Sequence, residues 1–180
     1  MTDALLAGEL PLPPHPDYLR HGATVRSWLV TTDHKRIAIL YAVTITVFFF
    51  LGGAAITAVR LELFQPNGWL MNSDTYNKLF SFHGIIMVWF FLVPSIPNTF
   101  GNFLLPLMIG APDVAFPRLN LFSWYLTIAA GAFTVYALVA GGVDTGWTFY
   151  TPYSSMFSNT HVFAAAAGVF IVGFARIATG

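Results

Sequence analysis

The sequence contains no cysteine. That absence removes disulfides, thiolate metal sites and thiol catalysis together, and it leaves the compartment unread from redox chemistry. Charge is the second shortage. Only 9% of the 180 residues are Asp, Glu, Lys or Arg, against roughly 25% in soluble domains. So few charges cannot cover a water-facing surface, and 56% hydrophobic content with 18 Phe points to an all-α integral membrane protein. The formal net charge is zero, so there is no basic footprint for nucleic acid. The first fourteen residues hold no basic side chain. They carry Asp3, Glu9 and the breaker run Pro11-Leu12-Pro13-Pro14 instead, which is not the pattern of a secretory signal. Internal repeats are absent, as are low-complexity segments beyond that proline-rich stretch.

What is present falls into an arm and four apolar runs. Residues 1–26 read as a soluble Pro-rich arm, partly extended because Pro11, Pro13, Pro14 and Pro16 oppose helix. Residues 27–180 read as a transmembrane region. A span needs about 20 mostly apolar residues, and spans are expected at about 37–59, 79–109, 121–140 and 158–180. The second exceeds one hydrocarbon thickness, so tilt or a kink is expected, with Pro94 and Pro97 removing backbone donors. Ser158 or Asn159 is placed to cap the fourth helix. Gly52-Gly53-Ala54-Ala55 and Ala164 to Gly168 offer small-residue faces for close helix contact. Arg20, Arg26, Lys35 and Arg36 precede the first span, an excess that puts the N-terminus in the cytoplasm. The fourth run carries no terminating loop or basic flank. Four such helices leave polar and small-residue surface unpaired, so they read as the front part of a larger bundle; the alternative is a compact four-helix membrane protein.

His83 is the most informative side chain. An imidazole inside an apolar span is costly without a partner, and such residues mark functional sites. It could ligate a metal or haem iron through one ring nitrogen, relay protons, or hydrogen-bond to a neighbouring helix. Gly84 beside it leaves room for a flat macrocycle, and Met87 and Phe90 share its face. Asn98 and Asn102, one turn apart, lead toward Asp113 and Asn120 at the other end of the second span. A carboxylate there could collect protons and feed a water chain, or Asp113 and Asn120 could simply cap helices. Arg60 could pair with an acidic cofactor group or snorkel to headgroups. Glu62 could accept Arg60 or bind a cation. Trp147, Tyr150 and Tyr153 read as an interfacial aromatic belt, His34 with Lys35 and Arg36 as an orientation anchor, and His161 as structural. Arg176, late in the fourth span, has no evident partner.

Five stretches together resemble subunit I of the haem-copper oxidases, of the cytochrome c oxidase type. Thr31-Thr-Asp33-His34-Lys35-Arg36-Ile-Ala-Ile-Leu-Tyr41 resembles the opening of that family's first helix, and Arg60-Leu-Glu62-Leu-Phe-Gln65-Pro66 its end. Tyr76-Asn77 with His83-Gly84 resembles the start of the second. Phe100-Gly101-Asn102 through Pro112-Asp113-Val-Ala-Phe-Pro-Arg118-Leu-Asn120 resembles its most recognisable loop. Gly146-Trp147-Thr148 with Tyr150 and Pro152 resembles the loop before helix four. Order and spacing agree over about residues 27–180.

The resemblance implies the front part of a twelve-helix bundle, in the catalytic subunit of a terminal respiratory oxidase. Its chemistry would be electron transfer from cytochrome c to dioxygen, reduced to water, coupled to proton translocation. It implies His83 as an axial ligand of the low-spin haem, of A type, with Arg60 on that haem's formyl group. Trp147 would lie near the propionates, and Tyr76 would belong with the cofactor-binding residues. It implies Asp113, Asn102 and Asn120 as the entrance of the D proton pathway. Glu62 would lie at a peripheral calcium or sodium site, although Pro66-Asn67-Gly68 carries an extra residue there. The high-spin haem and copper need further histidines; of the five here only His83 matches a ligand. Implied partners are the rest of subunit I, oxidase subunits II and III, cytochrome c and the lipid membrane. The acidic, Pro-rich arm favours a bacterial inner membrane over a mitochondrial one. The alternatives are a quinol oxidase subunit I and a short non-catalytic membrane scaffold; a nitric oxide reductase relative is disfavoured because that branch lacks the Asp113 loop pattern.

Overall fold

The computed structural model describes residues 17–19, 22, 24–158 and 160–179. The prolines of the arm, with His15 and His21, lie outside them. Among the described residues the chain is helical, with no strand. A short helix α1 (Val25–Leu29) precedes four long ones: α2 (His34–Glu62), α3 (Ser73–Ile109), α4 (Pro117–Val139) and α5 (Val162–Thr179). Each of α2 to α5 is long and apolar enough to cross a membrane.

The helix ends follow local chemistry that hydropathy does not register. The Asp33 carboxylate accepts the amides of Lys35 at 2.8 Å and Arg36 at 3.3 Å, so α2 starts at His34, within the charged patch. Asn72 accepts the Thr75 amide at 2.8 Å, so α3 begins six residues before the expected Leu79. Pro117 opens α4, where its missing donor costs nothing. Gly110 takes φ +70°, and the Ala111 amide turns back to the Pro106 carbonyl at 2.8 Å to end α3. The expected cap of the fourth helix is not formed by Ser158. That residue closes a π-helical turn over Tyr153–Phe157, and α5 starts only at Val162; Asn159 lies outside the described residues.

The prolines of α3 do not break it. Ile86–Leu92 and Ser95–Gly101 are π-helical, flanking Pro94, and Pro97 lies in the second of them. A π turn widens the backbone pairing from i−4 to i−5, which accommodates the lost donors while the helix continues. At 37 residues α3 is roughly 55 Å long by α-helical rise, so it must tilt or project beyond a bilayer core.

Glycines set the helix spacing, as expected in a membrane where apolar burial does not distinguish helix from lipid. α5 lies along α4, and a Cβ on Gly168 would collide with Thr134 Oγ1 and meet the Ala130 carbonyl at 2.8 Å. A Cβ on Gly131 would enter the Phe48 ring, which itself packs on Phe90 with centroids 4.9 Å apart. Phe48, Phe82, Ile85, Ile86, Phe90, Ala130, Ala165 and Val172 share one buried cluster. On the far face of α5, Phe163, Phe170, Phe174 and Ile177 are exposed, a stripe suited to lipid.

The segment before α2 folds back onto it. Arg36, buried, donates Nε to the Tyr18 carbonyl at 2.5 Å and lies over the Trp28 ring. Lys35 Nζ lies 5.3 Å from the Tyr18 ring centroid.

Candidate functional site

Two polar centres lie at opposite ends of α3. The first is His83. Its Nδ1 lies 2.9 Å from the Gly52 carbonyl of α2. A carbonyl only accepts, so Nδ1 carries the proton and Nε2 keeps its lone pair, the tautomer a metal-ligating histidine needs. The approach exists because Gly52 is bare: a Cβ there would meet Met87 Sδ at 2.9 Å. Gly84, the next residue, faces Trp147, where a Cβ would lie 3.0 Å from the tryptophan Cβ. The loop bearing Trp147 is held on α3 by Ser81, whose Oγ accepts the amides of Thr145 at 3.3 Å and Gly146 at 2.9 Å. Trp89 Nε1 donates to the Trp147 carbonyl at 3.4 Å.

The structure therefore places Trp147 on Gly84, the neighbour of His83 along α3. Tyr76, half-buried, stands two turns before His83 on the same helix. Arg60 is exposed in the last turn of α2, with no ion pair or hydrogen bond to another side chain among the described residues. Glu62 does not pair with it. Glu62 is buried, and its Oε2 accepts the amides of Leu70 at 2.7 Å and Met71 at 2.9 Å, tying down the loop after α2. Its Oε1 lies against Gly68, where φ is +68° and a Cβ would collide with that oxygen. Among the described residues no three His, Asp or Glu gather as a metal would require.

The second centre is a row of buried polar groups. Asn102 and Asn120 form a closed amide pair, each Nδ2 donating to the other's Oδ1 at 3.1 Å. Asn102 Nδ2 also reaches the Asn98 carbonyl at 2.8 Å. Asn98 Nδ2 donates to Thr179 Oγ1 at 2.8 Å, Thr179 Oγ1 lies 2.7 Å from Ser123 Oγ, and Ser123 Oγ lies 2.7 Å from Tyr41 OH. Four helices thus contribute to one hydrogen-bonded row: Tyr41 from α2, Asn98 and Asn102 from α3, Asn120 and Ser123 from α4, and Thr179 from α5.

Asp113 sits in the loop joining the helices that carry the asparagine pair. It caps no helix: its Oδ1 accepts the Val114 amide at 2.7 Å and lies 3.1 Å from His34 Nδ1. With a third of its side chain exposed it touches both solvent and the protein. Asn120 likewise is inside the first turn of α4 rather than at its cap. His34, read from sequence as an anchor beside Lys35 and Arg36, is instead 3% exposed and paired to Asp113. Tyr41, Ser123 and Thr179 were not singled out from sequence. The signal was available in α4, where Asn120, Ser123, Thr127 and Thr134 recur at helical spacing on one buried face of an otherwise apolar span.

A family model described as cytochrome c and quinol oxidase polypeptide I matches residues 36–180. The chain belongs to this family. Among similar relatives, the cytochrome c oxidase subunit 1 of Corynebacterium glutamicum is 40% identical over 139 residues, 76% of this chain and 24% of that protein. A probable cytochrome c oxidase subunit 1-alpha of Streptomyces coelicolor is 44% identical over 138 residues, 74% of this chain and 23% of that protein. A probable cytochrome c oxidase subunit 1-beta of Nocardia farcinica is 41% identical over 156 residues, 86% of this chain and 26% of that protein. The chain thus spans about a quarter of the length of these relatives. Membership of the oxidase family makes it an integral membrane protein, in keeping with its four long apolar helices, and brings haem and copper as the family's cofactors.

Proposed function

We propose that this chain is the N-terminal portion of the catalytic subunit of a terminal oxidase that passes electrons from cytochrome c to dioxygen and moves protons across the membrane. The observation that carries the reading is the His83 Nδ1 contact with the Gly52 carbonyl, which leaves Nε2 as a fixed donor inside an apolar bundle. His83 fits one axial position of a low-spin haem, and the bare Gly84 beside it lets Trp147 pack against the same helix. Arg60, at the end of α2, has its guanidinium available for a polar substituent of an A-type haem, with Trp147 and Tyr76 flanking the same site. When bound, the haem supplies the one-electron step, while the protein supplies ligation, orientation and a tuned surrounding. The residues of a copper or second haem site belong to parts of the subunit beyond the four helices described.

At the other end, Asp113 faces solvent and is the carboxylate that would take up protons. His34 holds that carboxylate in place. The amides of Asn102 and Asn120 do not themselves exchange protons readily, and serve as polar walls for water. The hydroxyls of Tyr41, Ser123 and Thr179 can pass a proton along the row by reorienting. Proton uptake at Asp113 and an N-terminus in the cytoplasm go together in this reading, since Asp113 must open to the side that supplies protons. Cytochrome c is preferred over quinol as donor because the relatives above are named for cytochrome c. The bacterial sources of those relatives favour a bacterial plasma membrane, with subunits II and III as companions.

The test is optical. In the complete enzyme His83→Ala abolishes the sharp reduced band of the low-spin haem while the protein still accumulates. A normal band in that variant refutes the assignment.

A further inference from the structure

Arg176 is used by neither centre. Its Nε, Nη1 and Nη2 are all buried and have no hydrogen-bond partner among the described residues. Its residue lies one turn before Thr179, whose hydroxyl meets Asn98 and Ser123. Asn98 is itself eleven residues inside the end of α3 at Ile109, roughly 16 Å at helical rise. The Arg176 nitrogens are enclosed by protein, so the guanidinium does not snorkel to a headgroup phosphate.

A permanently charged guanidinium in such a place is very costly unless paired. The acidic residues of the four spans cannot serve. Glu62 and Asp74 stand in end turns, the first holding the Leu70 and Met71 amides and the second bonded to Lys78 at 2.6 Å. The flank of α5 beside Arg176 is also open to close approach: Gly173, one turn earlier, is exposed, and a Cβ there would meet nothing within 4 Å. We infer that the Gly173–Arg176 flank of α5 is the docking face for another membrane helix, and that this helix brings an Asp or Glu carboxylate to pair with Arg176. The fork of the guanidinium selects a carboxylate, which it can hold through two parallel bonds. The inference is independent of the proton-entry reading and would stand if that reading failed.

The test uses the protein in its own membrane with its natural companions. A diazirine amino acid placed at Gly173, with Arg176 intact, is photolysed and the products are read by mass spectrometry. The expected product joins α5 to an apolar helix that carries an Asp or Glu. Arg176→Met is then expected to lower the amount of assembled protein by roughly tenfold, because it strands the carboxylate. Arg176→Lys should retain most of the assembly, and changing the captured acid to its amide should restore the Arg176→Met variant. Capture of lipid alone, of a second copy of this chain, or of a helix without an acidic residue overturns the inference. So does an Arg176→Met variant that assembles like the parent.

Discussion

At the His83 end of α3 the imidazole stands apart from other side-chain partners and is tethered to the bare Gly52 backbone carbonyl. At the Asn98–Asn102 end the polar side chains are many and bond chiefly to one another. The same helix, in the same apolar bundle, thus solves the cost of buried polarity in two ways. A lone imidazole bound on one nitrogen keeps its other nitrogen for an outside ligand. A row of amides and hydroxyls spends its capacity internally, and gains continuity across four helices instead. The first arrangement suits holding one atom still; the second suits passing something along.

Several substitutions separate the two ends. His83→Ala has the largest expected effect, complete loss of the low-spin haem band in the full enzyme, with proton uptake lost only as a consequence. Asp113→Asn should do the reverse, slowing turnover by roughly tenfold, about 1.4 kcal/mol of barrier, while leaving the reduced spectrum in place; steady-state oxygen consumption measured beside the spectrum decides it. Asn102→Leu leaves the Asn120 amide unpaired, and should cost about 1–3 kcal/mol of stability. The Asn102→Leu, Asn120→Leu double variant should recover part of that loss, and thermal unfolding in detergent would expose the coupling. If the double variant is as unstable as the sum of the singles, the amides do not act as a pair. Smallest is Tyr153, outside both centres. Its hydroxyl donates to Asp144 at 2.8 Å, and that bond first, with desolvation second, raises its pKa above the ordinary tyrosine value. A raised value means the folded state holds this proton more tightly. The contact is intact below the usual range near 10 and is lost as pH climbs through the higher folded value. The phenolate absorbance missing from Tyr153→Phe should therefore appear late in an alkaline titration.

The spans were legible because the chain has so little charge that its few charged clusters stand out as borders. Their exact ends were not, because a window of hydropathy ignores a helix that starts in polar residues: Asn72 and Asp33 cap turns that carry Asp74, Lys78, Lys35 and Arg36. His83, Asn98, Asn102, Asn120 and Asp113 could be picked out as polar residues in or beside apolar runs. Their pairings could not. His34 meets Asp113 across 79 positions of sequence, and Tyr41 meets Ser123 across 82. Neither separation carries a periodic signal, and His34 was concealed further by its two basic neighbours, which made it look like part of a surface cluster. Serine and threonine were passed over because each is common in membrane helices, where the hydroxyl usually bonds one turn back, as Thr127 does to the Ser123 carbonyl at 3.0 Å.

The wide turns of α3 also fix a phase. His83 and the Asn98–Asn102 pair are carried by one uninterrupted helix, and both π-helical stretches fall between His83 and Asn102. Each residue of a helix advances its face by about 100°. A π turn holds one residue more than an α turn, so deleting one residue there and relaxing to α would keep both faces in place, whereas adding one would swing Asn98 and Asn102 away from Thr179 and Asn120 while His83 kept its hold on Gly52. The length of that stretch therefore works as a timing element between two machines on one shaft, and it should tolerate one residue fewer in a π turn far better than one residue more.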